Sequence, residues 1–205
     1  MLSNHLKAMR LKCCEHSPCL FTGVLVPGEP PIYVGIYVGN IIYFSANDAV
    51  ERKFESLLSS IGQVDFMGQV TLFLGTEFSW VFHPDGNLTV SLAQHSFIET
   101  LSDSLQIQST HHSTFTTPYQ AGISIDTIPT DNLSSVNHDE LRLKYQSLIG
   151  SLNWLSTTTG PDISTAVSLL AQHQSHSLSG HLDAALHVVR YVANTKSLGI
   201  YFSSL

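Results

Sequence analysis

Charge is the first thing this sequence is short of. Only 12% of its 205 residues are Asp, Glu, Lys or Arg, where about 25% is usual for a soluble domain. With 43% hydrophobic residues, disorder driven by charge repulsion is excluded, because that state needs high net charge and few apolar groups. Basic residues are scarcest. Lys and Arg number 9 against 16 acids, a net charge of −7. From Phe54 through Leu141 there is no Lys or Arg at all, while ten acids fall in that stretch. A compact nucleic-acid binder usually carries a basic surface, because neutralising phosphates and releasing counterions supplies much of its affinity. The middle of this chain repels phosphate, and it reads most simply as a solvated acidic face. Lys7, Arg10 and Lys12 and the Arg142/Lys144 pair make local positive clusters, which read as plain surface charge.

Long apolar runs are missing as well. A membrane-spanning helix needs about 18 or more consecutive apolar residues, and none occur. The opening MLSNHLKAMRLKCCEH has no apolar core before a small-residue cleavage site, so it does not read as a secretory signal. The expected location is intracellular, cytoplasmic or nuclear. Cysteine is scarce, with Cys13, Cys14 and Cys19 crowded near one end. An odd, crowded set makes a poor disulfide framework and points to a reducing compartment. With His16 they offer four nitrogen or sulfur ligands, but two are adjacent and no second pair follows at finger spacing. Ordinary thiols are the preferred reading. His173, His176, His181 and His187 match no metal-binding helical motif and read as exposed or capping histidines.

What is present suits one medium domain or two small ones. Ile32 to Phe44 is rich in β-branched and aromatic residues and breaks at Gly39-Asn40, which predicts a tight hairpin turning on that pair. Asn47 or Asp48 can cap a helix, with Glu51 placed for a capping box. Val50, Phe54, Leu57, Leu58 and Ile61 share its inner face, and Gly62 ends it. Thr71 to Phe82 reads as a strand, 83–87 as a turn, and Leu88 to Leu92 as its partner. Phe97, Ile98, Leu101 and Leu105 suit a short helix. Residues 106–138 are rich in Ser, Thr, His, Asp and Asn and read as an extended linker. The last third reads as helical. One stripe is Leu141, Tyr145, Leu148, Ile149, Leu152 and Leu155. A break at Gly160-Pro161 starts a second helix through Ile163, Ala166, Val167 and Leu170. A third runs from about Leu182 to Asn194, with Ala185, Val188, Val189 and Val192 inward.

Eight segments in order resemble the reverse transcriptase of copia-type LTR retrotransposons. Residues 33–45, YVGIYVGNIIYFS, stand where the family has YVDD inside a hydrophobic hairpin. Asp65-Phe66-Met67-Gly68 and Phe73-Leu74-Gly75-Thr76-Glu77-Phe78 follow, the latter similar to the family's FLGIE strand. Ser91-Leu92-Ala93-Gln94 with Phe97-Ile98 and Leu101 resembles its LSQ..YI..LL helix, and Thr117-Pro118 its TP. Residues 145–155, YQSLIGSLNWL, resemble YRSLVGSLMYL, and Gly160-Pro161-Asp162-Ile163 resembles RPDI. His181, Ala184-Ala185, Val188, Arg190-Tyr191, Thr195 and Gly199 resemble H..AA..VLRYL..T...G. The likeness spans roughly 10 to 203, and its strength lies in the order and spacing of pieces that are weak singly.

The resemblance implies a polymerase palm whose hairpin turn presents two carboxylates, joined by a third from an upstream strand, around two Mg²⁺ ions. One ion activates the primer hydroxyl and the other stabilises the departing pyrophosphate. Mg²⁺ is a hard cation that prefers charged oxygens in octahedral geometry. Here the two positions are Gly39, which has no side chain, and Asn40, which offers one neutral amide oxygen. About 30 residues precede the hairpin, with only Glu15 and Glu29 as acids, so the upstream carboxylate and the fingers are expected to be missing. The chain stops at Leu205, near where the family continues into RNase H. Gly160 stands where the family pattern has Arg, and a weaker local salt bridge or backbone contact is expected there. Asp48, eight residues past the turn, is the nearest downstream substitute ligand, but its expected role is helix capping.

The expected fold is α+β: a partial polymerase palm of antiparallel hairpins and a helix over 1–105, a linker over 106–138, and a mostly helical thumb/connection region over 139–205. The expected function is a degenerate fragment of a copia-type RNA-directed DNA polymerase without polymerase activity. Gly39 and Asn40 are the substituted metal-binding positions. No cofactor is expected here, although the intact family uses Mg²⁺. The intact family's partner is an RNA/DNA template-primer, weakly bound or unbound here, with no membrane partner. The alternative is a non-catalytic nucleic-acid- or protein-binding module.

Overall fold

A computed structural model describes residues 2–107, 115–119 and 135–204. The fold is α+β, with antiparallel sheets and a helical C-terminal region. Contacts divide the chain into two compact units, residues 1–70 and 71–205.

The first unit holds α1 (Leu2–Ala8), β1 (Lys12–Cys14), β2 (Ser17–Gly23), β3 (Ile32–Tyr37), β4 (Asn40–Ser45) and α2 (Asp48–Ser59). Its sheet runs β1-β2-β3-β4, all antiparallel. Side chains alternate across a strand, and β3 shows it: Ile32 and Val34 are buried while Tyr33 is exposed. The buried face meets Val50, Phe54 and Leu58 of α2, with Phe21, Leu6 and Leu11 completing the core. Leu57 and Ile61, expected on the inner face, are half-buried.

Two local expectations need correction. The hairpin turns on Val38-Gly39, not Gly39-Asn40, because Tyr37 pairs with Asn40 and Ile36 with Ile41. Register is set by which side chains must share the buried face, and that demand takes Asn40 into the strand. The capping box does not form. Asn47 is the N-cap and its Oδ1 accepts from the Ala49 N–H at 2.7 Å. Glu51 instead accepts from the Ser45 N–H at 2.8 Å, tying the helix start to the end of β4.

The second unit holds β5 (Leu72–Phe73), β6 (Thr76–Phe82), β7 (Leu88–Ala93), α3 (His95–Ser104), α4 (Ser135–Thr158), α5 (Ser164–Ala171), α6 (Ser179–Asn194) and β8 (Ile200–Ser203). The expected single strand over 71–82 is a hairpin. Leu74 and Gly75 both take positive φ, 50° and 74°, the conformation of a two-residue turn that matches strand twist. The C-terminal third is not wholly helical, since β8 pairs antiparallel with β7 in a sheet ordered β5-β6-β7-β8.

The three expected helices form as read. Tyr145, Leu148, Ile149, Leu152 and Leu155 of α4 are buried against Ala166, Val167 and Leu170 of α5 and Ala185, Val188, Val189 and Val192 of α6. Pro161 opens a short 3-10 turn, Pro161–Ile163, ahead of α5, where its fixed φ suits a helical start and its missing N–H costs nothing. Most of 106–138 lies outside the described residues. Of the described part, 135–138 already belong to α4 rather than to a linker, and 115–119 are held on α6: His187 Nε2 is 3.0 Å from the Thr117 carbonyl, and the Phe115 ring meets the His187 ring at 5.1 Å.

Candidate functional site

Gly39 and Asn40, the two positions singled out in the sequence, sit together at one tip of the first sheet. Gly39 belongs to the β3–β4 turn and Asn40 opens β4, both exposed. Val38 is 94% exposed and Tyr37 54%. A Cβ built on Gly39 would meet nothing within 4 Å. The tip therefore has space for a larger residue at 39, and what it lacks is ligand chemistry.

Strand register locates the acids relative to that tip. Leu20 pairs with Gly35, so β2 begins at the end of the sheet where β3 finishes. The Glu15-His16 turn between β1 and β2 thus shares this end with the Val38-Gly39 turn. The two turns lie about 10 Å apart, two strand spacings. Asp48 is at the opposite end of β4. The six residues of β4 span five steps of ~3.4 Å, about 17 Å. It is exposed as the first residue of α2, and the capping role expected of it belongs to Asn47. Glu29 is also at the far end, where its Oε2 accepts from Asn47 Nδ2 at 2.6 Å. Glu55 is engaged by Tyr43, whose hydroxyl donates to Oε1 at 2.6 Å. Burial, then that hydrogen bond, pushes the Tyr43 hydroxyl far above its ordinary range. Among the described residues, no three His, Cys, Asp or Glu side chains cluster closely enough to hold a metal ion.

The turn carries backbone strain. Val38 has φ 54°, a left-handed conformation that a β-branched residue resists. Replacing Val38 with glycine is expected to stabilise the first unit by about 1 kcal/mol, read as a higher denaturant midpoint with unchanged slope.

Several motif residues that could pass for catalytic groups have structural work instead. Glu77, in the FLG-type segment on β6, reaches the start of α3. Its Oε1 accepts from the Ser96 N–H at 2.8 Å and its Oε2 is 2.9 Å from His95 Nδ1. Burial pushes its carboxyl up, but the hydrogen bonds from Ser96 and His95 prevail and hold it below its ordinary value. A carboxylate at a helix N-terminus also complements the macrodipole, and the N-cap Gln94 makes no side-chain cap bond of its own. Tyr191 donates to Asp162 Oδ2 at 2.6 Å, which links the PDI segment to the RY segment. Burial, then Asp162, pushes the Tyr191 hydroxyl up to about 12. Tyr145 is fully buried and donates to the Leu170 carbonyl at 2.7 Å, its hydroxyl likewise pushed up by burial. Sequence spacing had marked Tyr145 as core but gave no sign of the Tyr191–Asp162 and Glu77–Ser96 bonds, which join residues far apart in the chain.

Cys13 and Cys14 on β1 are half-buried and Cys19 on β2 is exposed, all as free thiols. Among the positive residues, Arg142 is paired with Asp139 at 2.8 Å. No helix among the described residues is long and apolar enough to cross a membrane.

No family model and no solved structure matches the chain. Curated proteins do. The chain is 24% identical over 176 residues to the putative transposon Ty5-1 protein YCL074W of Saccharomyces cerevisiae, covering 86% of this chain and 53% of that protein. It is 25% identical over 170 residues to the uncharacterized mitochondrial protein AtMg00810 of Arabidopsis thaliana, covering 83% of this chain and 65% of that one. It is 30% identical over 180 residues to the retrovirus-related Pol polyprotein from transposon RE2 of Arabidopsis thaliana, covering 87% of this chain but 11% of the polyprotein. The chain thus spans between about a tenth and two thirds of the length of these relatives.

Proposed function

As a homologue of copia-type retrotransposon Pol polyproteins, this chain is, we propose, a polymerase-inactive derivative of their RNA-directed DNA polymerase. One observation carries the reading. At the turn where the family pattern places a carboxylate pair, this chain presents Val38, Gly39 and Asn40. A two-metal reaction needs charged oxygens to hold Mg²⁺ and to share it with substrate phosphates. Asn40 supplies one neutral oxygen, and Asp48 and Glu29 lie at the far end of the sheet. The accessible, uncrowded tip supports a loss of ligands rather than of shape.

Replacing both positions, Gly39→Asp with Asn40→Asp, tests this. Amide signals of residues 37–41 are expected to broaden with added Mn²⁺ in the double variant and to stay sharp in the native chain. Broadening in the native chain would count against the reading. The double variant is still expected to incorporate no nucleotide, since among the described residues the acid nearest that end of the sheet, Glu15, stands about two strand spacings from the turn.

A second reading is a non-catalytic binding module, supported by the outward side of α4. Leu143, Ser147, Gly150 and Trp154 fall on one helical face. Leu143 is 64% exposed and Trp154 43%, and the Gly150 Cβ position is open. From Tyr145 through Pro161 the chain carries no charge, so binding to this face would rest on contact and stacking rather than on phosphate neutralisation. Binding to single-stranded nucleic acid that falls when Trp154 becomes alanine would support this module. Unchanged binding in that variant would remove it.

A further inference from the structure

We propose that Cys13 and Cys19 are a site of reversible oxidation, closed to a disulfide by peroxide and reopened by a small thiol. The two sit in the β1–β2 hairpin, where the ladder is irregular. Cys14 pairs with Ser17, but Cys13 pairs with Phe21. Pro18, Cys19 and Leu20 therefore stand opposite a single step of β1, and Cys19 is the middle one. Proline has no N–H to give a ladder and within sheets is confined to edges, strand starts and bulges, which suits Pro18 to this place.

The sulfur of Cys13 reaches into that bulge. It lies 3.5 Å from the Pro18 carbonyl oxygen and 3.6 Å from that of Cys14. The Pro18 carbonyl carbon is bonded to the Cys19 nitrogen, so the Cys13 sulfur is within about 6 Å of the Cys19 α-carbon. In a disulfide that distance is about 4 Å, and a shift of about 2 Å at the hairpin end closes the bond. Exposure divides the roles. Cys19 is exposed and open to solutes, while Cys13 is half-buried against the core of the first unit. Cys14 is one step along β1, and successive side chains of a strand leave on opposite faces, so it does not share that approach.

The chemistry balances with hydrogen peroxide as the oxidant. The thiolate is the attacking form of a cysteine. Cys19 takes one oxygen from the peroxide and becomes a sulfenic acid, and the hydroxide released leaves with the thiol proton as water. The Cys13 sulfur then attacks the Cys19 sulfur, the S–O bond breaks, and the departing hydroxide takes the Cys13 proton as a second water. Two thiols and one peroxide become one disulfide and two waters. Two equivalents of a thiol such as glutathione reverse it by exchange. The bond ties the middle of the bulge to β1, at the end of the sheet that carries the Glu15-His16 turn.

Peptide mapping of the full chain tests this. The folded protein is treated with hydrogen peroxide, blocked with N-ethylmaleimide and digested. No Lys or Arg lies between Cys13 and Arg52, so trypsin leaves all three cysteines on one peptide, and cleavage after Glu15 then parts Cys13-Cys14 from Cys19. The expected result is a disulfide joining the two pieces, with the maleimide on Cys14. Cys14→Ser is expected to form the same bond, and Cys13→Ser to lose most of it. In denaturant the native chain is expected to divide its bonds to Cys19 between Cys13 and Cys14. The same even division in the folded chain would overturn the proposal. So would a bond from Cys14 to Cys19, or sulfinic acid at Cys19 with Cys13 still open to the maleimide.

Discussion

Tyr145→Ala is expected to cost the helical core of the second unit about 3–5 kcal/mol, the range for truncating a buried aromatic side chain. Two losses combine. The fully buried ring of Tyr145 stands where α4, α5 and α6 meet, and a cavity there collapses only in part. The Leu170 carbonyl also loses its 2.7 Å partner, and an orphaned buried acceptor carries its own desolvation cost. Tyr145→Phe separates the two, keeping the ring and costing about 1–3 kcal/mol. Both tryptophans, Trp80 and Trp154, belong to this unit, so denaturant titrations followed by tryptophan fluorescence report on it directly.

Phe54→Ala is the matching experiment in the first unit, with an expected loss of about 3–5 kcal/mol. Phe54 is fully buried under the sheet and meets the Tyr43 ring edge-on at 5.1 Å. Removing it strips α2 of its central anchor and loosens the Tyr43–Glu55 bond that ties β4 to the helix. The first unit contains no tryptophan. Hydrogen exchange across 21–58 is the readout, and protection is expected to collapse there while the second unit keeps its own.

What could be read from sequence alone follows the range of the forces involved. The helices α2, α4, α5 and α6 were legible because each buries a stripe with its own period, a local property. The turn was misplaced by one residue. Gly39 and Asn40 both tolerate turn conformations, so composition could not separate them from Val38-Gly39, and only cross-strand pairing could. β8 was not legible. It is four residues long and gains its stability from β7, more than a hundred residues earlier. Gly199, noted only as a motif residue, has a role on that edge: a Cβ there would collide with the Leu92 carbonyl oxygen. The site divides in the same way. Gly39 and Asn40 were legible as a departure from the pattern of the family that the sequence resembles. The separation of Asp48 and Glu29 from the turn required the strands to be in place.

The central claim meets its most direct test in a primer-extension assay of the native chain, on an RNA template with a DNA primer, all four nucleotides and Mg²⁺. No extended product is expected at any enzyme concentration, because the turn at Val38-Gly39-Asn40 offers the metal no carboxylate. Extension that appears with Mg²⁺ and vanishes with chelator would contradict the account.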